Sequence, residues 1–102
     1  MDEKTREKFG ILAKELKSMM VSPDVDIEVC FRDIEQGEGC DPERKIPYVR
    51  VRYMTQESSV HEKDIEIAED NWSKSVEELK DYITFMIGQF MEEIDSVEYG
   101  GE

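Results

Sequence analysis

The stretch Tyr82–Met91 is the most apolar segment of an otherwise heavily charged chain, since seven of its ten residues are apolar or aromatic. On a helical wheel of about 100° per residue, these residues and their flanks form one broad stripe. A stripe of this width must be buried, and burying about eight such side chains contributes on the order of 12–20 kcal/mol. The stretch therefore predicts a long core helix around which the other elements pack. The stripe comprises Val76, Leu79, Tyr82, Ile83, Met86, Ile87, Phe90, Met91, Ile94 and Val97.

Two helices are predicted, one at each end of the chain. Phe9, Leu12 and Leu16 recur at spacings of three and four, which predicts an amphipathic helix over about residues 3–20. The second helix is predicted over about residues 73–97. Ser75 and Glu78 match the capping-box pattern at its start.

Alternating apolar and polar residues predict three strands, at about residues 24–34, 46–56 and 61–68. The polar segment Glu35–Lys45 between the first two strands is predicted to be a loop. Short connections favour an antiparallel arrangement in sequence order. Residues 1–102 are therefore expected to form a single α+β domain of order α-β-β-β-α, a three-stranded antiparallel meander with both helices packed on one face.

The alternation also predicts a strand register. Aligning Phe31 with Val49 places Glu28 opposite Arg52 in the first two strands. A three-residue turn before the third strand then places Glu66 opposite Arg52. We therefore expect Arg52 to lie between two carboxylates on the face turned away from the helices. Cross-strand charge pairs of this kind are ordinary sheet contacts, worth roughly 0.2–1 kcal/mol each.

The net charge of −13 is concentrated in the second half of the chain, where residues 62–102 hold 13 acidic and 3 basic residues. Such a surface repels nucleic acid and anionic membranes and attracts basic proteins. Direct binding to nucleic acid or to a membrane is therefore not expected. The alternative is that the acids serve only solubility.

Four acids of the second helix fall on one line of the wheel, opposite the core stripe. This line is about 27 Å long at 1.5 Å per residue, and its row of carboxylates resembles the charges of a phosphate backbone. A solvated helix face is the ordinary alternative. The candidate partner-binding residues are these four acids, followed by four acids near the third strand: Glu77, Asp81, Glu92, Asp95, Glu62, Asp64, Glu66 and Asp70.

Two residues of the second helix do not fit the pattern of a solvated face. Phe85 lies outside the apolar stripe, and Gly88 lies on the polar side, where alanine would be about 1 kcal/mol more favourable. Both residues are candidates for a self-association surface, so a homodimer is an open alternative.

No residue pattern indicates catalysis, a cofactor or a metal site. His61 is the only histidine, and a single imidazole near a turn, with no Ser or Cys paired to it, makes a poor catalytic base. Cys30 and Cys40 are too few for a four-ligand zinc site. A disulfide between them is not expected, because Cys30 lies within a strand and Cys40 lies in the following loop. Because the chain has no long apolar span, we expect a reduced, cytoplasmic protein. Because no catalytic motif is found, we expect no enzymatic activity.

The order α-β-β-β-α is similar to that of double-stranded-RNA-binding domains. That resemblance implies basic residues at the start of the second helix. Here residues 71–81 read NWSKSVEELKD, in which acids outnumber Lys74 and Lys80. We therefore infer neither RNA binding nor any site residue from this resemblance.

In length, acidity and layout, the chain also resembles small acidic phage-encoded inhibitors, including anti-CRISPR proteins and other nucleic-acid mimics. This resemblance implies that carboxylates stand in for phosphates in a basic groove of a nucleic-acid-processing protein. The leading hypothesis is thus a non-enzymatic inhibitor. The alternatives are a self-associating structural or assembly protein, or an antitoxin or immunity protein.

Overall fold

The structure, a computed structural model, describes residues 2–19, 23–55 and 59–99, with side chains as far as Ser96. The predicted ends of the first helix and second strand, at residues 20 and 56, and the side chain of Val97 lie outside the described parts. The elements are α1 (Glu3–Ser18), β1 (Val25–Phe31), β2 (Glu35–Gln36), β3 (Tyr48–Met54), β4 (Val60–Glu66), a short 3₁₀ helix (Glu69–Asn71) and α2 (Val76–Tyr99).

The α+β class and the order of helix, strands and helix are confirmed, but the sheet has four strands instead of three. The additional strand is β2, which lies in the segment predicted as a loop. Its two residues pair antiparallel with the end of β1, Gln36 with Cys30 and Glu35 with Phe31. The sheet order is β2-β1-β3-β4, and every neighbouring pair is antiparallel. A pairing of two residues depends on backbone hydrogen bonds and leaves too short an alternation to recognise in a sequence.

The predicted strand register is wrong by two residues between β1 and β3. Val29, not Phe31, pairs with Val49, and Asp26 pairs with Arg52. Arg52 lies opposite Glu62 in β4, because Met54 pairs with Val60 and not with Asp64, the partner that the predicted turn implied. A shift of two residues keeps every side chain on its predicted face, so the apolar pattern alone does not distinguish the two registers.

Both helices pack on one face of the sheet and enclose a single core. In the described part of the chain, α1 lies mainly against β1, whereas α2 lies against β3 and β4. Phe9 of α1 makes edge-to-face contacts with Phe31 and Trp72, at centroid distances of 5.2 and 6.1 Å. The fully buried core residues come from both helices and from the sheet and include Phe9, Leu12, Phe31, Val49, Val51, Ile67, Leu79, Ile83 and Ile87.

The second helix begins with the predicted capping box. The Ser75 Oγ accepts a hydrogen bond from the Glu78 N–H at 3.1 Å, and the Ser75 N–H donates to the Glu78 carboxylate at 3.2 Å. The pKa of Glu78 is lowered, chiefly by the hydrogen bond from the Ser75 backbone. Of the apolar stripe, five residues are buried, and four more are half-buried against the core: Leu79, Ile83, Ile87, Phe90 and Ile94, then Val76, Tyr82, Met86 and Met91.

Neither α1 nor α2, within the residues described, combines the length and the apolar character needed to cross a membrane.

Candidate partner-binding surface

Three of the four nominated acids of α2 are exposed to water, and none of the three has a cationic partner in the part of the chain that the structure describes. Glu77, Asp81 and Glu92 make no ion pair within the described residues. Lys80 is the only basic residue of α2, and it is directed across the helix pair to Glu15 of α1, at 3.4 Å. Glu77, Asp81 and Glu92 therefore form a row of uncompensated carboxylates on a rigid helix, called the α2 acidic row below.

Asp95 differs from the other three acids of its predicted line. It is half-buried, and its Oδ1 accepts a hydrogen bond from the Tyr53 hydroxyl at 2.9 Å. This bond ties the second half of α2 to the end of β3. Asp95 therefore has a contact within the fold, and replacing it would disturb packing as well as charge.

The nominated acids of β4 lie on the outer sheet face, which is the face turned away from the helices. They are neutralised by three arginines. The Asp64 carboxylate accepts hydrogen bonds from Arg50 at 2.8 Å and from Arg44 at 2.7 Å. Arg44 also pairs with Glu66, and Arg52 pairs with Glu62 at 2.9 Å. Asp70 lies apart from this network, exposed in the 3₁₀ helix.

Arg52 lies between carboxylates, as predicted, but with a different partner on the β4 side. It contacts Glu62 rather than Glu66, and on the β1 side it contacts Asp26 and Glu28, each at 3.4 Å. The predicted arrangement around Arg52 thus holds, whereas the predicted role of Glu66 as its neighbour is wrong because of the register.

The loop between β2 and β3 covers part of the outer sheet face. The loop packs around Tyr48, the first residue of β3. This side chain is only 1% exposed although it points away from the helices. The Arg44 guanidinium lies 4.0 Å from the centroid of the Tyr48 ring, and the Tyr48 hydroxyl accepts a hydrogen bond from the Asp41 N–H at 2.8 Å. The loop therefore forms a small second layer that the strand alternation did not predict.

A disulfide joins Cys30 to Cys40 beneath this loop, so the prediction of two unlinked cysteines is wrong. The β1–β2 hairpin turns the chain back across the sheet after Phe31. It thereby brings Cys40 beside Cys30, with the two Cα atoms 5.6 Å apart. Distance along the chain past the strand end was therefore a poor guide to distance in space.

Two glycines allow the loop to approach the Glu28 carboxylate. A Cβ on Gly37 would lie 2.8 Å from the Cδ of Glu28, and one on Gly39 would lie 2.6 Å from its Oε1. The Gly39 N–H donates to Glu28 Oε2 at 3.1 Å. The two glycines therefore let the loop backbone approach the Glu28 side chain, and a larger residue at either position would force that carboxylate to shift.

The outer-face network makes stability depend on pH through Asp64. Hydrogen bonds from Arg50, and then from Arg44, lower the pKa of Asp64 below its ordinary value of 3.8. A lowered pKa contributes stability above the unfolded-state value, and this contribution is lost as the pH falls through the folded-state value. We expect Asp64→Asn to lower the free energy of unfolding by about 1.5–3 kcal/mol at pH 7. The deficit should shrink below pH 3.8. Urea unfolding between pH 7 and pH 2.5 measures it, and a deficit that is constant over this range would contradict the assignment.

The two nominated self-association residues lie on the water-exposed side of α2. Phe85 is 61% exposed, and a Cβ built on Gly88 has no atom within 4 Å. Phe85 and Gly88 lie on adjacent turns of one helix face, near Asp81 and Glu92. The exposed side of α2 thus combines carboxylates with one aromatic side chain and a flat glycine surface.

Comparison of the chain with protein-family models, with curated proteins and with solved structures gives no match.

Proposed function

We propose that the protein is a non-enzymatic, acidic protein-binding inhibitor that occupies a basic nucleic-acid-binding groove of a cytoplasmic partner. The observation that carries this proposal is the division of the acids in the fold. The acids of β4 are neutralised by Arg44, Arg50 and Arg52, whereas the α2 acidic row makes no ion pair within the described residues, and the neighbouring Lys80 pairs with Glu15 instead. Acids that serve solubility alone have no need of this separation.

A helix is well suited to present such a row because its spacing is fixed. The α2 acidic row, from Glu77 to Glu92, spans about 22 Å, which corresponds to about six to seven nucleotides of one strand at about 3.4 Å each. Uncompensated carboxylates on a rigid surface attract a basic groove over a long range and accelerate association. Phe85 lies within the same surface and offers an exposed aromatic side chain, of the kind enriched at interface centres.

Self-association through Phe85 and Gly88 is the second candidate, favoured by the 61% exposure of Phe85. Two copies of α2 packed here would bring two acidic rows together, so their repulsion must be screened. Self-association should therefore strengthen with salt, whereas binding of a basic partner should weaken. Sedimentation at 50 mM and 500 mM salt separates the two candidates, and a salt-stabilised dimer that Phe85→Glu dissociates would favour the second. An antitoxin or immunity protein would use the same surface as the first candidate and differ only in its target.

The proposal predicts a salt-sensitive complex that competes with nucleic acid. The full chain, immobilised, is exposed to cell lysate at 50 mM salt, and captured proteins are purified and tested individually. We expect a nucleic-acid-binding protein that is released at about 500 mM salt and displaced by duplex DNA or RNA. A purified partner that binds nucleic acid and the immobilised chain simultaneously, without competition, would contradict the proposed mode of inhibition.

A further inference from the structure

Three potential metal ligands meet on the outer sheet face. A carboxylate oxygen of Glu28 and the Sγ atoms of Cys30 and Cys40 all lie within 4.8 Å of one another. Glu28 and Cys30 are two residues apart on β1 and therefore project from the same face of the strand. Cys30 is 2% exposed, whereas Glu28 and Cys40 are half-buried, so the cluster opens to water on the loop side.

The loop that carries Cys40 is held to the sheet by contacts that do not involve sulfur. The Asp41 N–H donates to the Tyr48 hydroxyl at 2.8 Å, Arg44 pairs with Asp64 at 2.7 Å, and the Arg50 guanidinium donates to the Gly39 carbonyl. These bonds flank Cys40 on both sides. We therefore expect the two sulfurs to stay close together, with the Glu28 carboxylate beside them, when the disulfide is reduced.

We propose that the reduced protein binds a thiophilic divalent cation, Zn²⁺, through Glu28, Cys30 and Cys40. A dithiol reductant transfers two electrons and two protons to the disulfide and becomes a disulfide itself, which leaves two protein thiols. Binding of Zn²⁺ then releases the two thiol protons, because the thiolate is the ligand. Three protein ligands and one water is the usual composition of an open zinc site.

The surroundings also supply groups that orient the ligands. The Gly39 N–H holds one oxygen of the Glu28 carboxylate at 3.1 Å, and outer contacts of this kind fix ligand geometry. Arg52 contacts the other oxygen at 3.4 Å, and its positive charge opposes a cation there. Because Arg52 also pairs with Asp26 and with Glu62, it keeps two carboxylate partners when Glu28 turns to a metal.

The test is titration of the full chain with Zn²⁺ by calorimetry, in the oxidised and the dithiol-reduced states, together with Co²⁺ absorption spectra. We expect one Zn²⁺ per reduced chain, a sulfur-to-cobalt charge-transfer band, and no binding in the oxidised state. Cys40→Ser should abolish the band. Glu28→Gln should raise the dissociation constant by at least about tenfold, the cost of disturbing a ligand environment. Glu62→Gln removes a neighbouring carboxylate that also contacts Arg52 and should leave the affinity within about twofold of wild type.

Two results would overturn the proposal. One is a reduced wild-type chain that binds Zn²⁺ no more tightly than the Cys30→Ser/Cys40→Ser double variant. The other is equal loss of affinity in Glu28→Gln and Glu62→Gln, which would assign the effect to the general charge of this face. Hydrogen exchange of the Asp41 amide in the reduced, metal-free chain reports whether the loop stays docked. Rapid exchange together with absent binding would reject the preformed site.

Discussion

Reversing the α2 acidic row, with Glu77→Lys, Asp81→Lys and Glu92→Lys together, should weaken binding to the captured partner by about 100- to 1,000-fold at 50 mM salt. Each reversal replaces an attraction to a basic groove with a repulsion, and losing about 1.4 kcal/mol corresponds to a tenfold loss of affinity. The loss of affinity should appear mainly as a lower association rate constant, as expected for charges at the rim of an interface. It should shrink as salt screens the charges. Surface plasmon resonance at two salt concentrations measures both the size of the effect and its salt dependence.

The same variant should fold normally, because the three side chains are exposed and make no ion pair in the described part of the chain. Asp95 is left unchanged, since it accepts the hydrogen bond from Tyr53. The matched control is Glu3→Lys, Glu38→Lys and Glu43→Lys. The control also replaces three exposed acids. Glu3 lies in the first turn of α1, as Glu77 lies in the first turn of α2. Both variants change the net charge from −13 to −7. Equal loss of binding in both would mean that total charge, not the α2 acidic row, determines affinity.

The second large effect concerns stability, because Tyr48 anchors the loop layer on the outer sheet face. Tyr48→Ala should lower the free energy of unfolding by about 3–5 kcal/mol, the usual cost of removing a buried aromatic side chain. The buried ring and its contact with Arg44 would both be lost. Guanidinium unfolding at pH 7 measures the change. A loss of less than about 1 kcal/mol would mean that the loop does not cover the ring in solution.

Tyr48→Phe is the control that separates the ring from its hydroxyl. It keeps the buried ring and the stacking on Arg44 but removes the acceptor of the Asp41 N–H, so a loss of only about 1 kcal/mol is expected. Neither variant should change binding to a partner of α2, since Tyr48 lies on the opposite face of the sheet. Binding that falls in proportion to the stability loss would instead indicate that the outer face takes part.

The helices were predictable from the sequence because their signals are local. The apolar stripe of α2 repeats over more than six turns, and the capping box requires only Ser75 and Glu78, three residues apart. The strand register was not predictable, since a shift of two residues leaves every face unchanged. The disulfide was missed for a related reason. The hairpin that returns Cys40 to Cys30 depends on a two-residue strand and on close glycine packing, neither of which produces a periodic pattern.

The candidate surface was predictable only in part. The sequence places Glu77, Asp81 and Glu92 on one helix line, and the structure exposes all three. The sequence does not show which acids are neutralised, because the partners of Asp64 come from β3 and from a loop about 20 residues away in the chain. The ion pairs of the outer sheet face therefore removed Glu62, Asp64 and Glu66 from the set of uncompensated acids, and the hydrogen bond from Tyr53 separated Asp95.

Carboxylate labelling of the free and partner-bound protein, followed by mass spectrometry, measures directly which acids the partner covers. If the α2 acidic row is the binding surface, then Glu77, Asp81 and Glu92 are protected from labelling in the complex. Glu38 and Glu43, exposed on the loop, should be labelled as strongly as in the free chain. Protection of the outer-face or loop acids, with the α2 acidic row labelled equally in both states, would contradict the proposed surface.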